Sequence, residues 1–258
     1  MKRKSASIRD KLLPIGAFCL LLLIWWGLSV SGLIPSYMLP SPVNVAQAFV
    51  KDFPNLMVHA AVSLQEALYG LLIGTALAFG LACAMDRFGM LEKAVFPLLV
   101  VTQTIPTIAI APLLVLWMGF DMAPKITLVI ITTFFPIAVG LLDGFKSADH
   151  DAEALLKSMN ASRWQIFRHL KFPAALPSFF SGLRISASYA VVGAVISEWL
   201  GGFEGLGVYM TRVRKAYAFD KMFAVILLVT AVSLLLMKGV SLLQQVSMPW
   251  LKNRQGGN

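Results

Sequence analysis

Long apolar runs separated by short polar stretches set the pattern of this chain. Six runs stand out, at residues 13–34, 61–85, 94–118, 126–145, 178–200 and 222–245. About twenty apolar residues in a helix cross a hydrocarbon core roughly 30 Å thick. Lipid offers no partner to backbone N–H and C=O groups, so each run is predicted to be helical and the fold class to be all-α and polytopic. The resulting division is a tail at 1–12, a membrane domain at 13–245 and a second tail at 246–258. The first run exceeds the roughly 7–15 apolar residues of a signal peptide and no A-x-A site follows it, so it is expected to stay as a helix.

One polar stretch breaks the rhythm: DAEALLKSMNASRWQIFRHLKFPAALP, residues 151–177, within a loop that begins at 146. Ser162 and Gln165 have the spacing of a capping box, which predicts a helix from Arg163 that Pro173 ends. Upstream, Asp149 or Asp151 can cap a helix running to about Met159, with Leu155 and Met159 on one side. Asn160 follows, and asparagine tolerates the left-handed conformation that helix ends often need. The expectation is two short helices hinged at Asn160–Ala161. Their apolar stripes are too short to span a bilayer and must pack on the bundle or on another protein, which reads as a docking element.

Within the runs, the third carries Pro97, Pro106 and Pro112 with Thr102, Gln103, Thr104 and Thr107 between them. Irregular polar backbone at membrane depth is tolerated where it is buried in protein or lines a cavity, so this run points to a pathway, with a kinked packing helix as the alternative. Gly70, Gly74, Ala78 and Ala82 form a small-residue stripe, and Gly140 and Gly144 another. Packing within one bundle is the favoured reading of both, a subunit interface the sharper one. Glu66 and Glu198 lie near outer ends of runs, where each is either a functional acid or within reach of interfacial water. Residues 206–217 place Leu206, Tyr209, Met210, Val213 and Tyr217 on one face, as in an amphipathic gate or interfacial anchor.

Composition agrees. Hydrophobic residues make up 58% and charged residues 14%, with a net charge of +9. A soluble domain holds about 45–50% and about 25% respectively. The basic residues sit at the edges of apolar runs rather than on one soluble patch, which excludes nucleic acid as a partner. With the N-terminus inside, fourteen lysines and arginines fall on the inner side and six on the outer. Both termini and the 146–177 loop are therefore expected in the cytoplasm. The last outer loop, with Arg212, Arg214, Lys215 and Lys221, fits this rule poorly and needs cover from protein or a partner. Cys19, Cys83, His59, His150 and His169 are too scattered to ligate a metal. No nucleophile–base pair lies within a run, which argues against an enzyme. No G-x-x-x-x-G-K-[ST] phosphate loop occurs in the chain.

The 151–177 stretch resembles the cytoplasmic "EAA" loop of permease subunits of ATP-binding-cassette importers. That motif runs acid-Ala-Ala, three residues, Gly, nine residues, then Ile-x-Leu-Pro. Asn160 takes the glycine place, and Leu170-Lys171-Phe172-Pro173 follow at the required distance. The acid departs: Glu153 precedes the expected position, which holds Ala154, and Leu155 and Leu156 replace the alanines. LPSPVN (39–44), the proline-rich third run and SEWLGGFEGLGVYM (197–210) extend the resemblance to permeases of the sulfonate, nitrate and taurine type. The EWLGG…GLGVYM wording is most similar to importers of thiamine-related pyrimidine precursors. The resemblance implies a six-helix, MetI-like subunit of a type I importer in a bacterial inner membrane. It further implies a homodimer, two docked ATPase subunits and a periplasmic or lipid-anchored solute-binding protein. This chain would hold no cofactor, ATP and Mg being bound by the ATPase. Coupling would fall to Glu153, Ala154, Leu155, Met159, Asn160, Ala161, Ser162, Arg163 and Pro173. The substrate pathway would run through Gln103, Thr104, Thr132, Thr133, Ser197, Glu198 and Trp199. Glu198 or Trp199 suits an aminopyrimidine, whereas a sulfonate would want a cation, and none lies at mid-depth in these runs. The same machinery carrying sulfonate, taurine or nitrate is the alternative; an ion-coupled secondary transporter is the rival of another class, for which no internal repeat is evident.

Overall fold

The computed structural model describes residues 8–35 and 37–249, side chains from residue 12 onward. Lys2, Arg3, Lys4, Lys252 and Arg254, which enter the orientation count, lie outside the described residues. The helices are α1 (Ile8–Val30), α2 (Pro42–Lys51), α3 (Phe53–Arg87), α4 (Gly89–Thr104), α5 (Thr107–Met118), α6 (Met122–Lys146), α7 (His150–Ser158), α8 (Arg163–Ile166), α9 (Phe172–Glu198), α10 (Leu206–Lys215) and α11 (Phe219–Ser247).

The core forms where small residues let helices touch. Along α6, Gly140 and Gly144 meet α9: a Cβ on Gly144 would fall 2.6 Å from the Ala175 Cα, and one on Gly140 would fall 2.8 Å from the Ser178 carbonyl oxygen. The small-residue stripe of α3 packs on the other side of α6, with Ala78 and Ala82 fully buried and Gly74 against the Thr133 hydroxyl. Both stripes thus close contacts within one chain. α11 covers α9, and Val225, Leu228, Leu206 and Tyr209 share an outer apolar cluster with Leu56. By contrast α1 is almost wholly exposed. It is held near its C-terminal end, where the Trp25 indole N–H donates to the Pro40 carbonyl (3.1 Å) and the ring stacks on Phe223.

Two sequence expectations need correction. Residues 94–118 do not form one continuous helix. α4 and α5 meet at 98° around Ile105 and Pro106. Ile105 is extended (φ −81°, ψ 123°), the conformation that a following proline imposes. Nor does Pro173 end a helix. Residues 163–198 run on as one 36-residue helix. Proline cannot donate to the carbonyl four residues back and its ring crowds that group. The chain accommodates this with a wide π-helical stretch at Phe167–Lys171, in which the Phe172 N–H bonds the Phe167 carbonyl. The proline then sits in the first turn of α9, where its missing N–H costs little.

Candidate functional site

The loop between α6 and α9 folds as a two-helix elbow built on local signals. Asp149 caps α7, its carboxylate accepting from the Asp151 and Ala152 N–H groups at 2.9 and 3.4 Å. Asn160 adopts φ +57°. The Ala161 N–H then bonds the Leu156 carbonyl at 2.9 Å, the wrapped-back closure of a helix end in the left-handed conformation. Ser162 opens α8 with both halves of the capping box in place: the Gln165 side chain accepts from the Ser162 N–H (2.7 Å), and Ser162 Oγ accepts from the Gln165 N–H (3.3 Å).

The elbow is firmly attached at one end and bare at the other. α8 continues through the π stretch into α9. Lys171 pairs with Asp86 of α3 at 2.7 Å, and Phe167 packs on Phe145, Trp164 and Phe172. No residue of α7 is buried. Leu155 is 62% exposed and Met159 70%, an apolar tip facing away from the bundle. Glu153 turns the other way. It pairs with Lys157 at 2.8 Å and borders a cavity of about 920 Å³ behind the elbow. The Lys157 hydrogen bond, only partly opposed by burial, holds its carboxyl below the usual range. Ala154 and Arg163 complete the coupling set, Arg163 exposed at the start of α8.

The pathway candidates do not converge. Gln103 borders a groove of about 580 Å³ between the end of α4, α6 and α9, in the company of Asp143, Ser178, Ser181 and Tyr189. Thr104 lies exposed on the last turn of α4. Thr132 and Thr133 donate back to the Val129 carbonyl of their own helix, at 2.9 and 2.8 Å. Ser197 does the same to Ala194 (2.7 Å), and Trp199 is partly exposed at the C-terminal end of α9. Asp143, Ser181 and Tyr189 were not singled out as groove residues from the sequence. The available signal was the two-glycine stripe of α6, because the same close approach of α6 and α9 brings these side chains to one edge.

Glu66 and Glu198 do not reach interfacial water: each is only 1% exposed. Glu66 pairs with Lys125 of α6 at 2.8 Å. Glu198 accepts from Ser63 Oγ (2.6 Å) and from the Gly207 N–H (2.5 Å). Ser63 in turn accepts from the Leu206 N–H at 2.8 Å, and His59 Nδ1 from the Gly205 N–H at 3.0 Å. Three side chains from α3 and α9 thereby satisfy the first N–H groups of α10, which otherwise lack partners in a helix start. Tyr209 donates to Asp52, and Lys221 lies 3.4 Å from the same carboxylate. Burial disfavours the Asp52 anion, but these two partners outweigh it and its carboxyl is held below the usual range. The 206–217 segment is thus a packed part of the bundle over its buried face, with Leu206, Tyr209 and Val213 inward and Tyr217 outward.

Comparison with known proteins agrees with this architecture. The formylaminopyrimidine transport permease protein ThiX of Halalkalibacterium halodurans is 35% identical over 98% of this chain and 100% of its own length. The taurine transport system permease protein TauC of Escherichia coli is 28% identical over 94% of this chain and 90% of its own. A crystal structure of an amino acid ABC transporter superposes with a TM-score of 0.61 at 14% identity, covering 78% of this chain and 95% of that one, a likeness of fold alone. A family model described as the binding-protein-dependent transport system inner membrane component matches residues 76–253, and to that family of membrane permeases this chain belongs.

Proposed function

We propose that this permease is the membrane subunit of an ATP-driven importer that carries a thiamine-related pyrimidine precursor into the cytoplasm. Two copies form the pathway, two ATPase subunits grip the elbows from the cytoplasm, and a solute-binding protein delivers cargo from outside. Both termini face the cytoplasm in this arrangement. The observation that carries the reading is the elbow itself. Its exposed tip at Leu155 and Met159 lacks a partner in the bundle among the described residues, while α8 passes without a break into α9. Push on the tip and the whole helix must follow, because α9 lies against α6 without slack at Gly140 and Gly144. Asn160, Ala161 and Ser162 set the angle of the elbow, and Arg163 and Pro173 mark the two ends of the stiff connection. Glu153 acts from behind, bracing α7 through Lys157. The chain lacks a phosphate loop, so ATP and Mg belong to the partner.

For the solute, the 35% identity to a formylaminopyrimidine permease supports a pyrimidine precursor. The groove chemistry points the same way: it offers Gln103, two serines, Tyr189 and Asp143, and no basic side chain among its lining residues. Such a surface hydrogen-bonds a neutral or cationic heterocycle and gives a sulfonate no counter-charge. Gln103 and Thr104 at the break between α4 and α5 are the pathway residues we favour; Thr132, Thr133, Ser197, Glu198 and Trp199 act more remotely, on helix packing and on the outer loop. Transport of taurine or another sulfonate by the same machinery is the second reading, favoured by the relation to a taurine permease. Vesicles containing the reconstituted importer distinguish them: ATP-dependent uptake of formylaminopyrimidine, unaffected by excess taurine, is expected. Uptake of taurine instead would reverse the assignment.

A further inference from the structure

The cavity behind the elbow, about 920 Å³, has a lining that is both aromatic and basic. Aromatic rings of Phe79, Trp164, Phe167 and Phe172 line it together with Arg87, Arg163 and Arg168. Phe79 and Arg87 are eight positions apart on α3, which places them about 12 Å apart along the helix axis. Five basic side chains border the cavity against two acids, Asp86 and Glu153. Those acids are already taken by Lys171 and Lys157. Among the described residues Arg87, Arg163 and Arg168 make no ion pair, so the surplus is carried by three guanidinium groups at the end of the spans. Guanidinium favours phosphate oxygens, in a two-pronged geometry.

We propose that this cavity is a binding site for an anionic phospholipid of the cytoplasmic leaflet, its phosphate on the arginines and the upper part of an acyl chain along Phe79 and Phe172. The occupant follows from the shape of the site. A soluble anion would satisfy the arginines and leave the aromatic channel, which reaches two turns up α3 into the span, filled with water. A basic pocket between spans at the cytoplasmic face fits the anionic headgroups concentrated there. The site also has a position that matters: its walls are α3, α7, α8, the π stretch and the first turn of α9, so a bound lipid wedges the joint through which the elbow drives α9. This rests on the orientation given above, with the elbow in the cytoplasm.

The test uses the full-length permease in its assembled importer, extracted from nanodiscs of phosphatidylglycerol and phosphatidylcholine in equal parts, with retained lipid counted by native mass spectrometry. Wild type should keep phosphatidylglycerol preferentially. Arg87→Gln with Arg168→Gln should lower that retention about tenfold or more, since each arginine near an anionic surface is worth about one order of magnitude or a little less. Lys93→Gln, a charge lost at the same membrane face outside the cavity, should leave it unchanged. Millimolar inorganic phosphate should not displace the lipid; displacement would make the ligand a free anion and overturn the lipid assignment. Equal retention of the two lipids by wild type, or no loss in the double variant, would also overturn it. Should the double variant fail to assemble, Phe79→Ala, which spares every charge, must itself weaken retention. Labelling of position 159 from one side of sealed vesicles reports orientation separately, so a wrong orientation and an empty lipid site give different results.

Discussion

At the scale of single residues, one ion pair and one backbone position carry sharp consequences. Lys125 and Glu66 form an ion pair that is almost fully buried between α6 and α3. Removing one partner leaves an uncompensated charge in a low-dielectric site, which costs about 3–5 kcal/mol, whereas replacing both with apolar groups is often neutral. Lys125→Met should therefore lower the thermal unfolding midpoint in detergent strongly, and Glu66→Leu with Lys125→Met should recover most of the loss. Equal loss in the single and double variants would show that the pair is not coupled. Asn160 is the backbone position, at φ +57°. Glycine reaches that conformation freely, alanine at about 1–2 kcal/mol, and proline not at all. Uptake in cells should survive Asn160→Gly, fall with Asn160→Ala and vanish with Asn160→Pro, with membrane levels checked by immunoblot.

Elements come next, and here the contact of α6 with α9 is decisive. Gly144 has no room for a side chain beyond hydrogen because Ala175 lies against it. Overpacking of this kind costs about 1–3 kcal/mol. Gly144→Val should depress the unfolding midpoint, while Gly80→Val, where an added Cβ meets open space, should not. The elements also mark what could be read in advance. The elbow was legible because its signals are local: an aspartate cap, a left-handed asparagine and a capping box each involve a few consecutive residues. The bend at Ile105 was legible as a break but not as an angle, since the angle depends on what α5 packs against. Pro173 misled because the local rule that proline ends a helix was overridden by a π stretch that makes room for it. That Glu66 and Glu198 are buried away from interfacial water was not legible, for a different reason. Lys125 lies 59 positions from Glu66 and Ser63 lies 135 from Glu198, and only the relative depth of packed helices brings them together.

On the scale of the whole molecule, the bundle is tight at α3, α6, α9 and α11, loosely skirted by α1, and carries one bare projection at α7. The bare projection presents exposed Leu155 and Met159 beside an arm that continues into α9. Family membership gives the setting, a binding-protein-dependent transport system; the continuity of α8 with α9 gives the means by which an attached motor would move the bundle. The cluster around Glu198 and α10 holds the end of α9 opposite the elbow. The most direct test of this account places a photo-crosslinking residue at position 159 of the importer in intact membranes. Illumination should join the permease to its ATPase, with an adduct whose yield changes when ATP is trapped. An adduct only with a protein on the outer side, or none with the ATPase despite a fully assembled complex, would contradict it.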